Sequence, residues 1–425
     1  MVDQRWIDTN NSNASVDRYQ YTYDRSSNVL TQTNVNSTGN SETYTYDALN
    51  RLTTTDRASG TTDDQSWNLD ALGNMSSVTT DSTTEDRTHD SQNELTGMGS
   101  LTLSYDHNGS VTTDDLGHHL TFDAWNHLVG VYNDNGSGGV GTLIVAYAYD
   151  GAGRRIRESH ATGSPTEFYY SSQWQVVEER QGLTVTNQYV WSPVYVDAMI
   201  ERDRNADGNI TNGLEERIYV TQDANFNATT IIAGDGTVLE HFTYNAYGKR
   251  TDLHGSWAAS GDTEGWLYSF QGLRYDADTG LLHARNRDLS IRMMRWISQD
   301  PMGYVDGMNN HAFERDNPAD RVDPLGLALK VSTAGGVTSI DGTIPGGGTV
   351  RGRLSKTGSS LTYSGPIVTI KLGKWFGTDV SLNGTIHFSG GLVKLAAKAC
   401  VNSIPRLPAV STPYVGVGFL PPPLG

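Results

Sequence analysis

Pairs of large apolar residues, mostly aromatic, are separated by one residue and followed by an aspartate, and this pattern recurs along the chain. The clearest copies are YTYDRSSNVLT from Tyr21, YTYDALNRLT from Tyr44, WNLDALGNM from Trp67, LSYDHNGSVT from Leu103 and YAYDGAGRRI from Tyr147. Tyr and Thr alternate with period two, and an Asp followed by Asn or Gly is typical of a turn. The repeat therefore predicts a succession of β-hairpins.

The aromatic pairs of these repeats are predicted to share one face of the hairpins, because residues two apart in a strand point to the same side. The residues of this predicted aromatic face are Tyr21, Tyr23, Tyr44, Tyr46, Tyr147 and Tyr149. Such a face can pack between strands or stack on the sugar rings of a glycan, and cross-strand packing is the more common role. A ribbon of stacked hairpins is stable where a single hairpin is marginal.

The composition agrees with an all-β fold. Charged residues make up only 19% of the 425 residues, and Thr, Ser, Asn and Gly, which suit half-exposed strands and turns, are abundant. A single cysteine, Cys400, excludes a disulfide framework and a cysteine-based zinc site. The sequence also contains no apolar run long enough for a membrane span or a signal peptide, so an integral membrane protein is not expected.

The net charge of −17 is divided unevenly along the chain. From Ala328 to Gly425 there are six Lys and three Arg against two Asp, a net charge of +7, which leaves −24 for the first 327 residues. The change of sign predicts a domain boundary at Ala328. The acidic body would repel phosphate groups, so we do not expect it to bind nucleic acid.

One acidic stretch, DRNADGNITNGLEE, has the spacing of a calcium-binding loop. Asp203, Asn205 and Asp207 alternate as they do in such loops, and a glycine stands at the sixth place. The acid expected at the twelfth place is replaced by leucine, with Glu215 immediately after it. The stretch thus predicts either a Ca²⁺ site formed by these four residues or a solvated hairpin loop.

Three motifs near residue 300, together with the repeats, resemble the RHS and teneurin-like proteins that carry YD repeats. These motifs are QGLRYDADTGLLHARNRD, RWISQDPMGY and DNPADRVDPLGL. The resemblance implies an open or partial β-cage formed by a spiral of hairpins. It divides the chain into YD repeats at 1–260, an RHS-associated core at 261–327 and a variable C-terminal segment at 328–425.

Two Asp-Pro-x-Gly motifs begin at Asp300 and Asp323. The resemblance implies that these aspartates cleave the chain between Leu327 and Ala328, with Arg287 orienting them. Two neighbouring carboxylates cannot both ionise easily, so one can act as acid while the other acts as base. Asp-Pro-x-Gly is also an ordinary turn sequence, and the sequence alone does not show that the two aspartates meet.

We therefore expect an RHS-type shell, secreted or at a cell surface, that encloses or presents its own C-terminal segment and releases it by one self-cleavage after Leu327. The alternatives are a surface adhesin that binds glycans, cell-wall material or a target cell without cleavage, and a fragment of a larger polymorphic toxin. The C-terminal segment has no Glu and only one His, which argues against a general-base enzyme there. One departure from the family pattern is Met294, where glycine is usual.

Overall fold

The protein is described here from a computed structural model, in two units that comprise residues 1–327 and 328–425. In the first unit the structure describes residues 3–9, 12–59, 63–193, 195–209, 211, 213–305 and 307–327. In the second unit it describes the strands alone. No helix in these described segments is both long and apolar enough to cross a membrane.

The first unit begins with an antiparallel sheet of ten strands in which each strand pairs with the next along the chain. A single turn of 3₁₀ helix, η1 (Thr38–Asn40), interrupts it. The strands are β1 (Asp3–Asp8), β2 (Ala14–Tyr23), β3 (Val29–Asn34), β4 (Glu42–Tyr46), β5 (Leu52–Arg57), β6 (Gln65–Leu69), β7 (Met75–Thr80), β8 (Thr83–His89), β9 (Leu95–Met98) and β10 (Leu101–Thr102).

A second antiparallel sheet of fourteen strands follows with the same sequential order. Its strands are β11 (Ser104–Tyr105), β12 (Val111–Thr113), β13 (His119–Phe122), β14 (Leu128–Asp134), β15 (Val140–Tyr149), β16 (Arg155–His160), β17 (Thr166–Tyr170), β18 (Val176–Gln181), β19 (Thr184–Trp191), β20 (Met199–Arg204), β21 (Glu216–Gln222), β22 (Ala228–Ala233), β23 (Val238–Tyr244) and β24 (Arg250–His254). Among the described strands, neither sheet pairs its last strand with its first. The prediction of an all-β, partial cage of successive hairpins is confirmed.

The repeat aspartates form the turns of these hairpins. Asp47 Oδ1 accepts the backbone N–H groups of Leu49 and Arg51, both at 2.9 Å, and Asn50 adopts a left-handed φ of 60°. This is a three-residue hairpin loop whose left-handed position suits Asn or Gly. The same two side-chain bonds recur at Asp70, Asp90, Asp106, Asp114, Asp123, Asp150 and Asp223. The recurring aspartate of the sequence pattern is therefore the residue that forms each hairpin turn.

The predicted aromatic face lies in the core. Tyr21, Tyr44 and Tyr147 are buried, with at most 6% of their surface exposed, whereas Tyr23, Tyr46 and Tyr149 are partly buried against the same apolar clusters. In four repeats the second aromatic residue donates a hydrogen bond to a backbone carbonyl one repeat earlier. The acceptor is the first residue of the strand that begins after the previous hairpin turn. These pairs are Tyr46 with Val29, Tyr149 with Leu128, Tyr170 with Arg155 and Trp191 with Val176. The geometry corresponds to cross-strand packing.

These side-chain hydrogen bonds between successive repeats predict a difference between two adjacent tyrosines of β17. The Tyr170 hydroxyl donates to the Arg155 carbonyl at 2.5 Å, whereas Tyr169 is 43% exposed. We expect Tyr170→Phe to lower the free energy of unfolding by about 1 kcal/mol, since it removes one buried hydrogen bond. Tyr169→Phe is the control and should change it by less. Equal effects of the two variants in urea denaturation would show that the hydrogen bond from Tyr170 to Arg155 does not stabilise the fold.

The two ends of the hairpin strip contact each other. From β1, Gln4 Nε2 and Trp6 Nε1 donate to the Gln222 carbonyl of β21, at 2.6 and 3.0 Å. From β5, Arg57 Nη2 donates to the Tyr244 carbonyl of β23 at 2.8 Å. The strip therefore curls until its first hairpins reach its last ones, although the two sheets share no backbone ladder among the described strands.

The remainder of the first unit forms a four-stranded sheet and two 3₁₀ turns that lie across the hairpin turns. Its elements are η2 (Phe270–Gly272), β25 (Arg274–Asp276), β26 (Leu281–Ala284), β27 (Arg287–Ser290), β28 (Arg295–Trp296) and η3 (Glu314–Asp316). Its contacts with repeat turns include Asp320 with Val29, Asn317 with Asn50, Asn309 with Asn74, Arg295 with Asn93 and Pro318 with Asn225. This segment holds successive hairpins in register.

Among its described residues the second unit has nine strands, seven of them in one antiparallel sheet and two in a separate hairpin. They are β29 (Lys330–Ala334), β30 (Val337–Ile344), β31 (Gly348–Thr357), β32 (Ser360–Ser364), β33 (Lys374–Trp375), β34 (Thr378–Asp379), β35 (Ser381–Ser389), β36 (Leu392–Cys400) and β37 (Val415–Gly416). The separate hairpin is β33 with β34.

Candidate functional site

The three residues predicted to cleave the chain meet in the structure. Arg287 opens β27, Asp300 follows β28, and Asp323 lies near the end of the first unit. Arg287 Nη2 is 2.9 Å from Asp300 Oδ2 and 3.3 Å from Asp323 Oδ2, and all three side chains are at least nine-tenths buried. The Arg287 guanidinium also stacks on Trp296, 4.2 Å from the ring centroid. One guanidinium thus holds two buried carboxylates together.

Both Asp-Pro-x-Gly motifs are also turns, as the alternative interpretation expects. In the first, the N–H of Met302 donates to Asp300 Oδ1 at 2.7 Å. In the second, the N–H of Leu327 donates to Asp323 Oδ1 at 3.0 Å. The turn therefore places the Asp323 carboxyl beside the residue that precedes the predicted cut. Ala328, on the other side of that bond, lies outside the described residues.

Sequence reasoning missed the two residues immediately before Arg287. Arg285 donates to the carbonyl of Pro324, and Asn286 Nδ2 donates to the carbonyl of Leu325 at 2.8 Å. Arg287 Nε continues the series with the carbonyl of the next residue, Gly326, at 2.5 Å. The polar run RNR inside a buried strand pair is a signal in the sequence that these residues have polar partners. The sequence does not indicate that the partners are the carbonyls of residues 324–326.

The predicted calcium loop joins β20 to β21 and does not gather its ligands. Asp203 pairs with Arg217 through two bonds of 2.8 and 2.7 Å. Glu215 accepts two backbone N–H groups of the loop, at 2.7 and 2.9 Å, one of them from Asp207. Asn205 has its amide oxygen buried. These contacts favour the hairpin-loop alternative, and the Ca²⁺ site stays a prediction.

Another group in the described part of the chain has ligand atoms close enough for a metal ion. Glu158, His160 and Asp276 bring them within 4.8 Å of one another. Arg274 Nη1, however, donates to both oxygens of Glu158, at 2.8 and 2.7 Å. Burial would raise the pKa of Glu158, but Arg274 and His160 lower it to about 2. The guanidinium already supplies the positive charge that a metal ion would bring.

A buried carboxyl group in η3 predicts a pH dependence of stability. Asp316 in η3 is buried against the turn at Gly73, and burial raises its pKa from 3.8 to about 7 although Arg51 and Arg295 oppose this. The folded protein therefore holds this proton more tightly than the unfolded chain does. The stability contributed by the group is present below about pH 4 and declines as the pH rises to about 7.

Because asparagine stays neutral, we expect Asp316→Asn to escape this decline. At pH 8 the variant should be more stable than the wild type by roughly 4 kcal/mol, and at pH 4 the difference should fall to about 0.5 kcal/mol. Urea denaturation at the two pH values measures both. The same gap at pH 4 and pH 8 would contradict the raised pKa of Asp316.

Comparison with known proteins agrees with the hairpin repeats and the segment that lies across their turns. The family model described as Teneurin YD-shell matches residues 7–320. The chain belongs to the teneurin YD-shell family. The predicted resemblance is thereby confirmed.

Curated relatives of the chain include a nuclease and a toxin subunit. The tRNA nuclease WapA of Bacillus subtilis (strain 168) is 26% identical over 256 residues, which are 59% of this chain and 10% of WapA. Toxin subunit YenC2 of Yersinia entomophaga is 35% identical over 99 residues, 23% of this chain and 10% of that protein. The chain therefore spans about a tenth of these curated relatives.

A solved structure shares the fold of most of this chain. The crystal structure of TcdB2-TccC3 matches with a TM-score of 0.63 at 19% identity, covering 77% of this chain and 18% of that chain. At this identity the match establishes the fold of the hairpin strip and no more.

Proposed function

We propose that this YD-shell chain carries its own C-terminal segment and cuts itself once, in cis, between Leu327 and Ala328. The observation that carries the proposal is the convergence of two buried carboxylates on one arginine. Arg287 contacts Asp300 and Asp323 at 2.9 and 3.3 Å, and Asp323 also binds the N–H of Leu327. Asp323 thus contacts the residue that precedes the bond proposed to be hydrolysed, which supports the proposal.

The reaction is hydrolysis of a peptide bond. One carboxylate removes a proton from water as its oxygen attacks the carbonyl carbon of Leu327, and the other carboxyl group gives a proton to the departing nitrogen of Ala328. The C–N bond breaks, leaving a carboxyl group on Leu327 and an amine on Ala328. Arg287 balances the negative charge of the pair and fixes its geometry.

The boundaries expected from the sequence agree with this scheme. The net charge changes sign at Ala328, and the two compact units divide between Leu327 and Ala328. The resemblance to the family also divides the first unit into repeats at 1–260 and a core at 261–327. We keep this second division as a proposal. The released or presented product is the basic segment 328–425.

We further propose that the protein acts as part of a larger secreted or surface-associated toxin. The names of its relatives, a tRNA nuclease and a toxin subunit, support a toxin context.

The alternative of a glycan-binding adhesin receives less support. The tyrosines that would stack on sugar rings, such as Tyr44 and Tyr147, are 6% exposed and pack against other strands. Their rings are not available as a flat surface for a sugar. A non-cleaving shell with a purely structural Arg287 remains an outcome of the experiment below.

Pulse-labelled cell-free synthesis of the full chain, followed by a chase with protease inhibitors, tests the proposal. We expect two fragments to appear with first-order kinetics and a rate that is unchanged by tenfold dilution, because cleavage in cis does not depend on encounter between chains. A chain that stays intact would contradict self-cleavage. A rate that falls with dilution would show that cleavage occurs in trans.

A further inference from the structure

Three consecutive residues each donate a hydrogen bond to one of three consecutive carbonyls just before the predicted cut. The pairs are Arg285 with Pro324, Asn286 with Leu325 and Arg287 with Gly326. The Asn286 backbone N–H also donates to the Leu325 carbonyl, at 3.2 Å. The segment that ends at Leu327 is therefore bound residue by residue to the run 285–287.

The backbone at Arg285 explains how neighbouring side chains can serve one segment. Successive side chains of a regular strand point to opposite faces. Arg285 instead has a left-handed φ of 53°, between the end of β26 and the start of β27. A non-glycine residue in this region is uncommon and strained. The turn interrupts the alternation, so that Arg285, Asn286 and Arg287 face the same stretch of chain.

An ion pair with the hairpin strip holds Arg285 in place. Its guanidinium forms two bonds with Asp197, of 2.6 and 3.0 Å, and both side chains are at least nine-tenths buried. Asp197 precedes β20, so the anchor belongs to the second sheet. Paired guanidinium bonds of this kind fix orientation as well as position.

No side chain fits at Gly326. Its φ is +62°, and a Cβ built there would lie 2.5 Å from the Ala284 carbonyl oxygen and 3.0 Å from the Arg287 nitrogen. Both neighbours are backbone atoms that cannot move aside without shifting a strand. The residue two positions after Asp-Pro must therefore be glycine if the segment is to lie against the run 285–287.

We propose that Arg285 and Asn286 are positioning residues that set the register of the cut, and that Gly326 is the residue that determines which sequence can occupy the site. This inference rests on the proposed self-cleavage. The carbonyl bonds hold the segment so that Leu327 lies beside Asp323, whose Oδ1 accepts the Leu327 N–H at 3.0 Å. The same bonds keep the new C-terminus in place after cleavage, which blocks the site to any second substrate.

Asn286→Asp tests the positioning role, with Asn225→Asp as its matched control. Both asparagines donate Nδ2 to a backbone carbonyl at 2.8 Å, but Asn225 bonds Pro318, away from the dyad. In the pulse–chase assay at pH 8 we expect Asn286→Asp to cleave at least tenfold more slowly than wild type, and Asn225→Asp within about twofold. At pH 4, close to the ordinary pKa of an aspartate, about half of the introduced carboxyl groups are protonated and can donate, so the ratio to wild type should rise.

Gly326→Ala is the second variant and Gly280→Ala is its control. Both glycines have a positive φ, +62° and +71°, but a Cβ at Gly280 meets nothing within 4 Å. We expect Gly326→Ala to cleave at least a hundredfold more slowly and Gly280→Ala to cleave normally. Thermal melting of each variant, made in an Asp323→Asn background so that all chains stay intact, shows that folding is retained.

The outcomes separate the two proposals. Normal cleavage by Asn286→Asp at pH 8, or normal cleavage by Gly326→Ala, overturns the positioning inference while self-cleavage stands. Slow cleavage by Asn286→Asp with no rise relative to wild type at pH 4 overturns the hydrogen-bond role of Asn286. A wild-type chain that is never cut overturns the proposed function and the positioning inference with it.

Discussion

Replacing Asp323 with Asn is expected to leave the chain uncut while preserving its fold. Asparagine has nearly the same shape, and its Oδ1 can still accept the N–H of Leu327, which lies 3.0 Å from Asp323 Oδ1. It cannot exchange a proton with water or with the leaving nitrogen. Since general acid–base catalysis contributes about 10²–10⁴-fold in rate, the loss should be of that size. Asp300→Asn should have the same effect, measured by fragment yield after a fixed chase.

Asp320→Asn is the control for these variants. Asp320 lies three residues before Asp323 and accepts the N–H of Val29 at 3.0 Å, which asparagine can also do. This variant should be cut as the wild type is. Unchanged cutting in both Asp300→Asn and Asp323→Asn would remove the dyad from the mechanism. Loss of cutting in all three would indicate that the core segment tolerates no such change.

The second large effect is expected at Arg155, which joins the hairpin strip to β27. Its guanidinium lies 2.8 Å from Asp288, stacks on Tyr147 at 3.8 Å from the ring centroid and donates to the Tyr149 hydroxyl. Arg155→Met would leave the Asp288 carboxylate buried without its main partner. Breaking such a pair costs about 3–5 kcal/mol in free energy of unfolding. Chemical denaturation of the intact Asp323→Asn chain measures the loss.

The double variant Arg155→Met/Asp288→Leu tests the reason for this cost. If the penalty comes from an unpaired buried charge, removing Asp288 as well should restore at least half of the lost stability. His283, 3.0 Å from Asp288, would then lose a partner too, so full recovery is not expected. A double variant no more stable than Arg155→Met would mean that Arg155 contributes to the free energy of unfolding through packing on Tyr147 and not through its charge.

The hairpin fold could be predicted from the sequence because its determinants are local. The alternation of Tyr and Thr sets a period of two, and each turn is formed by one aspartate that bonds two N–H groups within four residues. The burial of Tyr44 and Tyr147 follows from the same period, since one face of a curled strip must pack. The direction and extent of the curl depend on distant contacts such as Gln4 with Gln222.

The candidate site could be predicted only in part. The two aspartates and Arg287 were found through resemblance, but their convergence depends on how β27, β28 and the final turn pack together. Arg285 and Asn286 gave no sign of their partners because a left-handed residue reorients them. Met294, at the position where the family pattern has glycine, keeps a positive φ of 62°. Its sulfur accepts a hydrogen bond from Trp67 Nε1, a contact that glycine could not make.

The calcium loop stays a prediction, and the contacts around it favour the hairpin-loop alternative. Its spacing met the sequence criterion, yet Asp203 lies on β20 opposite Arg217 of β21 and forms a cross-strand ion pair. Sequence spacing records the order of ligands in a loop and does not record what the facing strand offers them.

Intact-mass spectrometry of the purified wild-type chain, with N-terminal sequencing of any fragments, tests the central claim most directly. The account predicts two fragments whose masses sum to that of the chain plus one water, with the smaller beginning at Ala328. It also predicts that the Asp323→Asn chain gives one intact mass under the same conditions. A single intact mass for the wild type, or fragments that meet at any other bond, would contradict it.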